Sequence, residues 1–214
     1  NYCVRYKAWN ALHKMGSESE KELMKMFLSK NPRHRARALW LLGKNPGRSA
    51  HYVDMASQDK DPDIRIIALR LARQEGVSMI RVIEKMASDP SAKVRRECAI
   101  SLAHLRGPEK SKLWASLAMS HEAGDRWSLE ALGIAASGDW DSCLSSWLEK
   151  VGDDWDSDSG KDIIWRSRAK ETARLIAKIL KDPKTLEQER PRYFRALDFQ
   201  SKAAKEAALL EILQ

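Results

Sequence analysis

An arginine that returns every 30 residues constrains this chain more than any other feature. Arg5, Arg35, Arg65 and Arg95 keep that spacing, and three residues after each comes a small side chain: Ala8, Ala38, Ala68 and Cys98, with Ser128 in the next register. Four residues further stand Leu12, Leu42, Ala72, Leu102 and Leu132. A second marker, Gly16, Gly47, Gly76, Gly107 and Gly138, recurs at intervals of 31, 29, 31 and 31. Two markers that share one period describe a structural unit repeated along the chain.

The chemistry of the period is that of paired helices. Glycine accepts the left-handed conformation found just past a helix C-terminus, so each of these glycines ends one helix before the next begins. Asn31-Pro32, Asp61-Pro62 and Asp89-Pro90 place a capping oxygen ahead of a proline at the first helical position, where a missing N–H costs nothing. Pro46, Pro108, Pro183 and Pro191 fall between the periodic stretches. Met79, Ile80, Ile83, Met86 and Ala87 form one helical stripe, and no stretch alternates as a strand would. Helices are therefore expected over 2–15, 18–30, 33–44, 48–58, 62–74, 78–88, 91–105, 108–120, 125–137, 140–151, 161–180, 184–190 and 192–213, the last broken near Gln200. The fold class is all-α.

The fullest copy, Asp89-Pro-Ser-Ala-Lys-Val-Arg-Arg-Glu-Cys-Ala-Ile-Ser-Leu102, resembles the turn and second helix of a HEAT repeat. Asn31 to Gly43 and Asp61 to Ala72 are similar, with two residues fewer between proline and arginine, while the fifth copy has Asp125 where the arginine belongs. The resemblance implies a right-handed α-α superhelix, one HEAT-like solenoid over 1–214 with about six to seven helical pairs, and an acidic loop inserted at 152–160. The phrases Val94 to Ala99, Asp125 to Gly133, Ile164 to Ala169 and Arg192 to Phe199 are similar to the HEAT region of large secreted multidomain bacterial proteins. In that family the region lies between a sugar-dehydrogenase-like propeller and a cytochrome-c-type domain. That resemblance implies an extracytoplasmic, non-catalytic scaffold within a redox protein, whose partner is another protein or neighbouring domains of the same polypeptide. A chain that starts at Asn1 without methionine or signal peptide reads as a piece of such a protein.

The formal charge of +8 raises nucleic acid as a partner, but its distribution argues against it. Residues 1–110 carry 22 Lys/Arg against 12 Asp/Glu, 111–160 carry 3 against 10, and 161–214 carry 13 against 8. An acidic waist interrupts any continuous phosphate-tracking surface. An alternative, a HEAT-like alkylpurine DNA glycosylase using Trp127, Glu130 and Trp165, meets the same obstacle.

The candidate residues divide into three groups. The ladder Arg5, Arg35, Arg65 and Arg95, with Asp61 and Asp89 at the turns, is structural, each arginine satisfying turn carboxylates and carbonyls of a neighbouring repeat. Arg126, Trp127, Glu130, Trp165, Arg166 and Arg168 combine aromatic and charged side chains at the start of inner helices and form the candidate partner-binding set. Asp154, Asp156, Asp158 and Gly160 carry part of a calcium-loop pattern, though the glycine is one place late and Trp165 stands where a bidentate Glu belongs. Trp9, Trp40, Trp114 and Trp147 are read as core. No catalytic residue and no cofactor is expected: His13, His34, His51, His104 and His121 lack metal-ligand spacing, nucleotide-binding and hydrolase motifs are absent, and Cys3, Cys98 and Cys143 form no CxxC pair. No apolar run is long enough to span a membrane.

Overall fold

Asparagines begin both the first and the third helix of the protein, seen in a computed structural model that describes residues 1–214. Asn1 accepts a hydrogen bond from Cys3 N and opens α1 (Tyr2–Met15), and Asn31 accepts one from Arg33 N and opens α3 (Pro32–Leu42). Between them lies α2 (Glu20–Phe27), after a short 3-10 turn over Gly16–Ser19. The first unit, Asn1–Ser101, continues with α4 (Ser49–Ser57), α5 (Pro62–Gln74), α6 (Met79–Met86) and α7 (Ala92–Leu102). All elements are helical, and no helix is long and apolar enough to cross a membrane.

The small and leucine positions of the period make the core of this unit. Ala38, Leu39 and Leu42 of α3 and Ala68, Leu69 and Ala72 of α5 are all fully buried, and α3 packs chiefly on α2 and α5 on α4. Small residues let the helices approach closely. At Gly43 an added Cβ would lie 2.2 Å from Leu71 of α5.

The second unit, Leu102–Gln214, contains α8 (Pro108–Ala118), α9 (Arg126–Ala136), α10 (Trp140–Val151), α11 (Asp158–Arg166), α12 (Thr172–Lys181), α13 (Arg190–Leu197) and α14 (Lys202–Leu213). α8 packs chiefly on α10, and α12 on α14. Trp114 is fully buried, donates to Leu132 O at 2.8 Å and meets Trp140 edge-on at 5.8 Å. Trp147 is buried as expected, whereas Trp9 and Trp40 are only half-buried.

The expected helix over 161–180 is two helices. Ser167 is extended, and its hydroxyl accepts from Ala169 N and lies 2.7 Å from Thr172 Oγ1, giving the backbone an alternative to another helical turn. Residues 184–190 shrink to a 3-10 turn at Glu187–Glu189, because Thr185 bonds back to Ile179 O at 2.6 Å and Leu186 is extended. The break near Gln200 is present, with Ser201 capping α14. The stretch 152–160 is not a loop: a 3-10 turn covers Gly152–Asp156, and Ser157 then caps α11 through Gly160 N. Gly160 serves close packing, since a Cβ there would fall 2.1 Å from Trp155 O. Asp154 and Asp156 thus lie in the 3-10 turn and Asp158 opens α11, and no group of three acidic, His or Cys side chains is arranged to hold a metal ion.

Candidate functional site

In the first unit the periodic arginines bind the chain's own turns. Arg35 donates through Nε to Phe27 O at 3.0 Å and pairs with Asp59. Arg65 donates through Nε and Nη2 to both oxygens of Asp89, each at 2.7 Å, and through Nη1 to Asp59 O at 2.8 Å. Arg95 donates to Asp89 O at 2.9 Å. The Asp89 and Arg65 side chains are mostly buried, so each neutralises the other's desolvated charge.

One assignment changes. The acceptor that corresponds to Asp89 is Asp59, 30 residues earlier, and not Asp61. Asp61 instead caps α5 by accepting from Asp63 N at 3.0 Å, and lies 3.9 Å from Arg35. The period itself carried the signal: counting back 30 from Asp89 lands on Asp59. The Arg5 guanidinium has no hydrogen bond or ion pair, and Ser29, which stands where Asp59 and Asp89 would recur, has a buried hydroxyl without a partner.

The second unit is built around one carboxylate. Asp162 is placed on the buried face of α11 beside Ile163 and Ile164 and is only 5% exposed. Its Oδ2 accepts from Gly124 N at 3.0 Å and lies 3.2 Å from His121 Nε2, and its Oδ1 accepts from Arg192 of α13. Burial alone would raise the pKa of this group. The hydrogen bonds from His121, Gly124 N and Arg192 outweigh it and hold the carboxyl well below the usual carboxylate range. His121 is buried, with Nδ1 lacking a partner.

Arg192 links this buried centre to the surface. While one edge of its guanidinium binds Asp162, its face lies 4.6 Å from the Trp165 ring. A pocket of about 380 Å³ opens here, lined by Gly124, Arg126, Leu129, Asp162, Trp165 and Arg192. Two residues of the sequence-derived set, Arg126 and Trp165, therefore meet in one pocket. Trp127 is 73% exposed on the same helix as Arg126. Glu130 pairs with Arg166 at 3.2 Å, and Arg166 lies over both Trp140 and Gly133. Arg168 caps α11 by donating to the carbonyls of Trp165, Arg166 and Ser167, and stacks 4.5 Å over Phe199.

Asp162, His121 and Arg192 were missed as site residues. Arg192 sits in the phrase Arg192 to Phe199 singled out for its resemblance, but nothing periodic ties it to Asp162. The thiols of Cys98 and Cys143 are pushed up to about 12 by burial, which makes them inert. No known protein family matches this chain, and no curated protein or solved structure is significantly similar to it.

Proposed function

We propose that the chain is a non-catalytic helical-repeat scaffold of HEAT type, a solenoid that holds a protein partner or a neighbouring domain on its inner helices. The observation that carries this reading is the arrangement of arginines. Arg35, Arg65 and Arg95 are engaged by the chain's own turns, whereas Arg126 is exposed without a partner beside the open Trp165–Arg192 pocket and the protruding Trp127. Exposed tryptophan and arginine around a partly desolvated pocket are the chemistry of a binding hot spot. An unpaired guanidinium there favours an acidic segment of the partner. Placement in an extracytoplasmic redox protein rests on the sequence phrases alone.

The test is selection of peptides from a random library on the 214-residue protein, followed by calorimetric titration of the selected peptides. Acidic peptides are expected, with affinity reduced by at least about tenfold in Arg126→Ala and in Trp127→Ala. Selected peptides without acidic residues, or binding indifferent to both substitutions, would contradict the reading. Micromolar binding to duplex DNA with a steep negative dependence on salt would favour the glycosylase alternative instead.

A further inference from the structure

The Trp165 pocket is lined by two arginines but offers a ligand one unmatched positive charge. Arg126 is exposed, and its side chain makes no hydrogen bond or ion pair. Arg192 is different. Its Nη2 donates to Asp162 Oδ1 and its face lies over Trp165, yet its side chain is still 41% exposed. Its charge is matched at close range, while its remaining N–H groups stay free to donate.

The match is held from the other side as well. Asp162 accepts from Gly124 N at 3.0 Å and lies 3.2 Å from His121 Nε2, so its carboxylate is anchored between the turn before α9 and α13. These bonds also keep it ionised, well below the usual carboxylate range. Two guanidinium groups less one carboxylate leave the lining with a single net positive charge, on Arg126. The neighbours bring no further free cation. Glu130 is paired with Arg166, Asp125, next to Arg126 in the chain, caps α9 through Ser128 N, and His121 is buried and does not line the pocket. The other walls are apolar, with Leu129 buried and Trp165 half-exposed.

A single net charge discriminates among anions. The attraction an anion gains from it grows in proportion to the anion's charge, whereas the cost of stripping water from the anion grows with the square of that charge. Asp162, itself part of the lining, repels a second negative charge. A carboxylate brings one charge and two oxygens, which suits one free guanidinium with added donation from the neutralised Arg192. A phosphate monoester carries close to two charges at neutral pH and calls for a cluster of cations that this pocket lacks.

We propose that Asp162 is the specificity-determining residue of this pocket: by neutralising Arg192 it selects a carboxylate borne beside an apolar group, such as an aspartate or glutamate flanked by an aromatic side chain, over a phosphorylated one. The inference rests on the Trp165 pocket being the binding site, and concerns which anion that site accepts.

Phenylpropionate and phenyl phosphate share an aromatic body and differ in the anionic head. Each is titrated at about pH 7.5 into the isotope-labelled full chain, following by NMR the N–H signals of Gly124, Arg126 and Leu129 and the indole of Trp165. The carboxylate is expected to shift them saturably and to bind at least about fivefold more tightly than the phosphate, and to lose about tenfold in Arg126→Gln. In Asp162→Asn, with its fold checked by circular dichroism, the preference is expected to narrow or reverse as Arg192 is released. Wild-type protein that binds phenyl phosphate as tightly as phenylpropionate would overturn the proposal, and this comparison requires no variant to fold. So would an unchanged preference in folded Asp162→Asn, or no saturable shift from either probe up to about 50 mM. The probes are independent of the peptide selection, so selected acidic peptides that still require Arg126 would uphold the pocket as the binding site even where the preference for carboxylate failed.

Discussion

The two units use arginine and aspartate in opposite ways. In the first, Arg35 and Arg65 reach back to the end of the preceding helix or its turn and are bound 24 residues ahead to Asp59 and Asp89. Charge is paired locally and repetitively. In the second, Asp162 is a hub that draws a histidine and a backbone N–H from the turn before α9 and an arginine from α13. The first arrangement leaves its cations occupied between turns. The second brings Arg192 out to the surface, where it lies against Trp165 and shapes a pocket. A ladder ties one turn to the next, whereas a hub fixes the side chains around one pocket.

The contrast is sharpest in what removal of one partner should do. Arg65→Ala strips Asp89 of its bidentate partner while the carboxylate stays buried, and is expected to cost about 3 kcal/mol in urea unfolding. A cost near zero would mean that the ladder contributes nothing to the first unit. Asp162→Asn is expected to cost about 2 kcal/mol at pH 7. Because folding lowers the Asp162 pKa, its contribution is complete above the ordinary carboxylate value near 4 and is lost as pH falls below that value through the lower folded one. Wild type and Asp162→Asn should therefore converge in thermal stability as the solution is acidified, and parallel curves would show that the hub is not what acid disrupts.

A glycine in each unit extends the comparison to packing. Gly43→Ala drives a methyl into buried Leu71 and should cost about 2 kcal/mol. Gly133→Ala first meets the Arg166 guanidinium, 2.4 Å away on a flexible side chain, and should cost under about 1 kcal/mol. Equal losses in urea unfolding would erase the difference between a jigsaw contact and a movable one.

How much of this is visible in the sequence follows from the same contrast. Capping residues and prolines marked the helix starts at Asn31 and Asp61 because capping is a local contact, made within three residues. The ladder was visible because its contacts recur with a fixed period, and even the displaced assignment of Asp61 for Asp59 is a two-residue slip within a turn. The break after Arg166 was not visible: the stripe through Ile163 and Ile176 continues across it, and the hydroxyls of Ser167 and Thr172 end the helix only because they meet in space. Asp162 and Arg192 are 30 residues apart, yet no second pair repeats them. A contact made once leaves no period to find. Aromatic and charged residues at 126, 127 and 165 were legible as candidates by composition alone, while their division into pocket, cap and exposed ring required the fold.

The most direct test of the proposed binding pocket beside Trp165 is hydrogen–deuterium exchange of the chain with and without a saturating acidic peptide from the library selection. Protection is expected to rise over residues 124–130, 162–168 and 190–200, with the ladder segments around Arg35, Arg65 and Arg95 unchanged. Protection that rose along the ladder and left the Trp165 pocket untouched would contradict the assignment of the second unit as the binding surface.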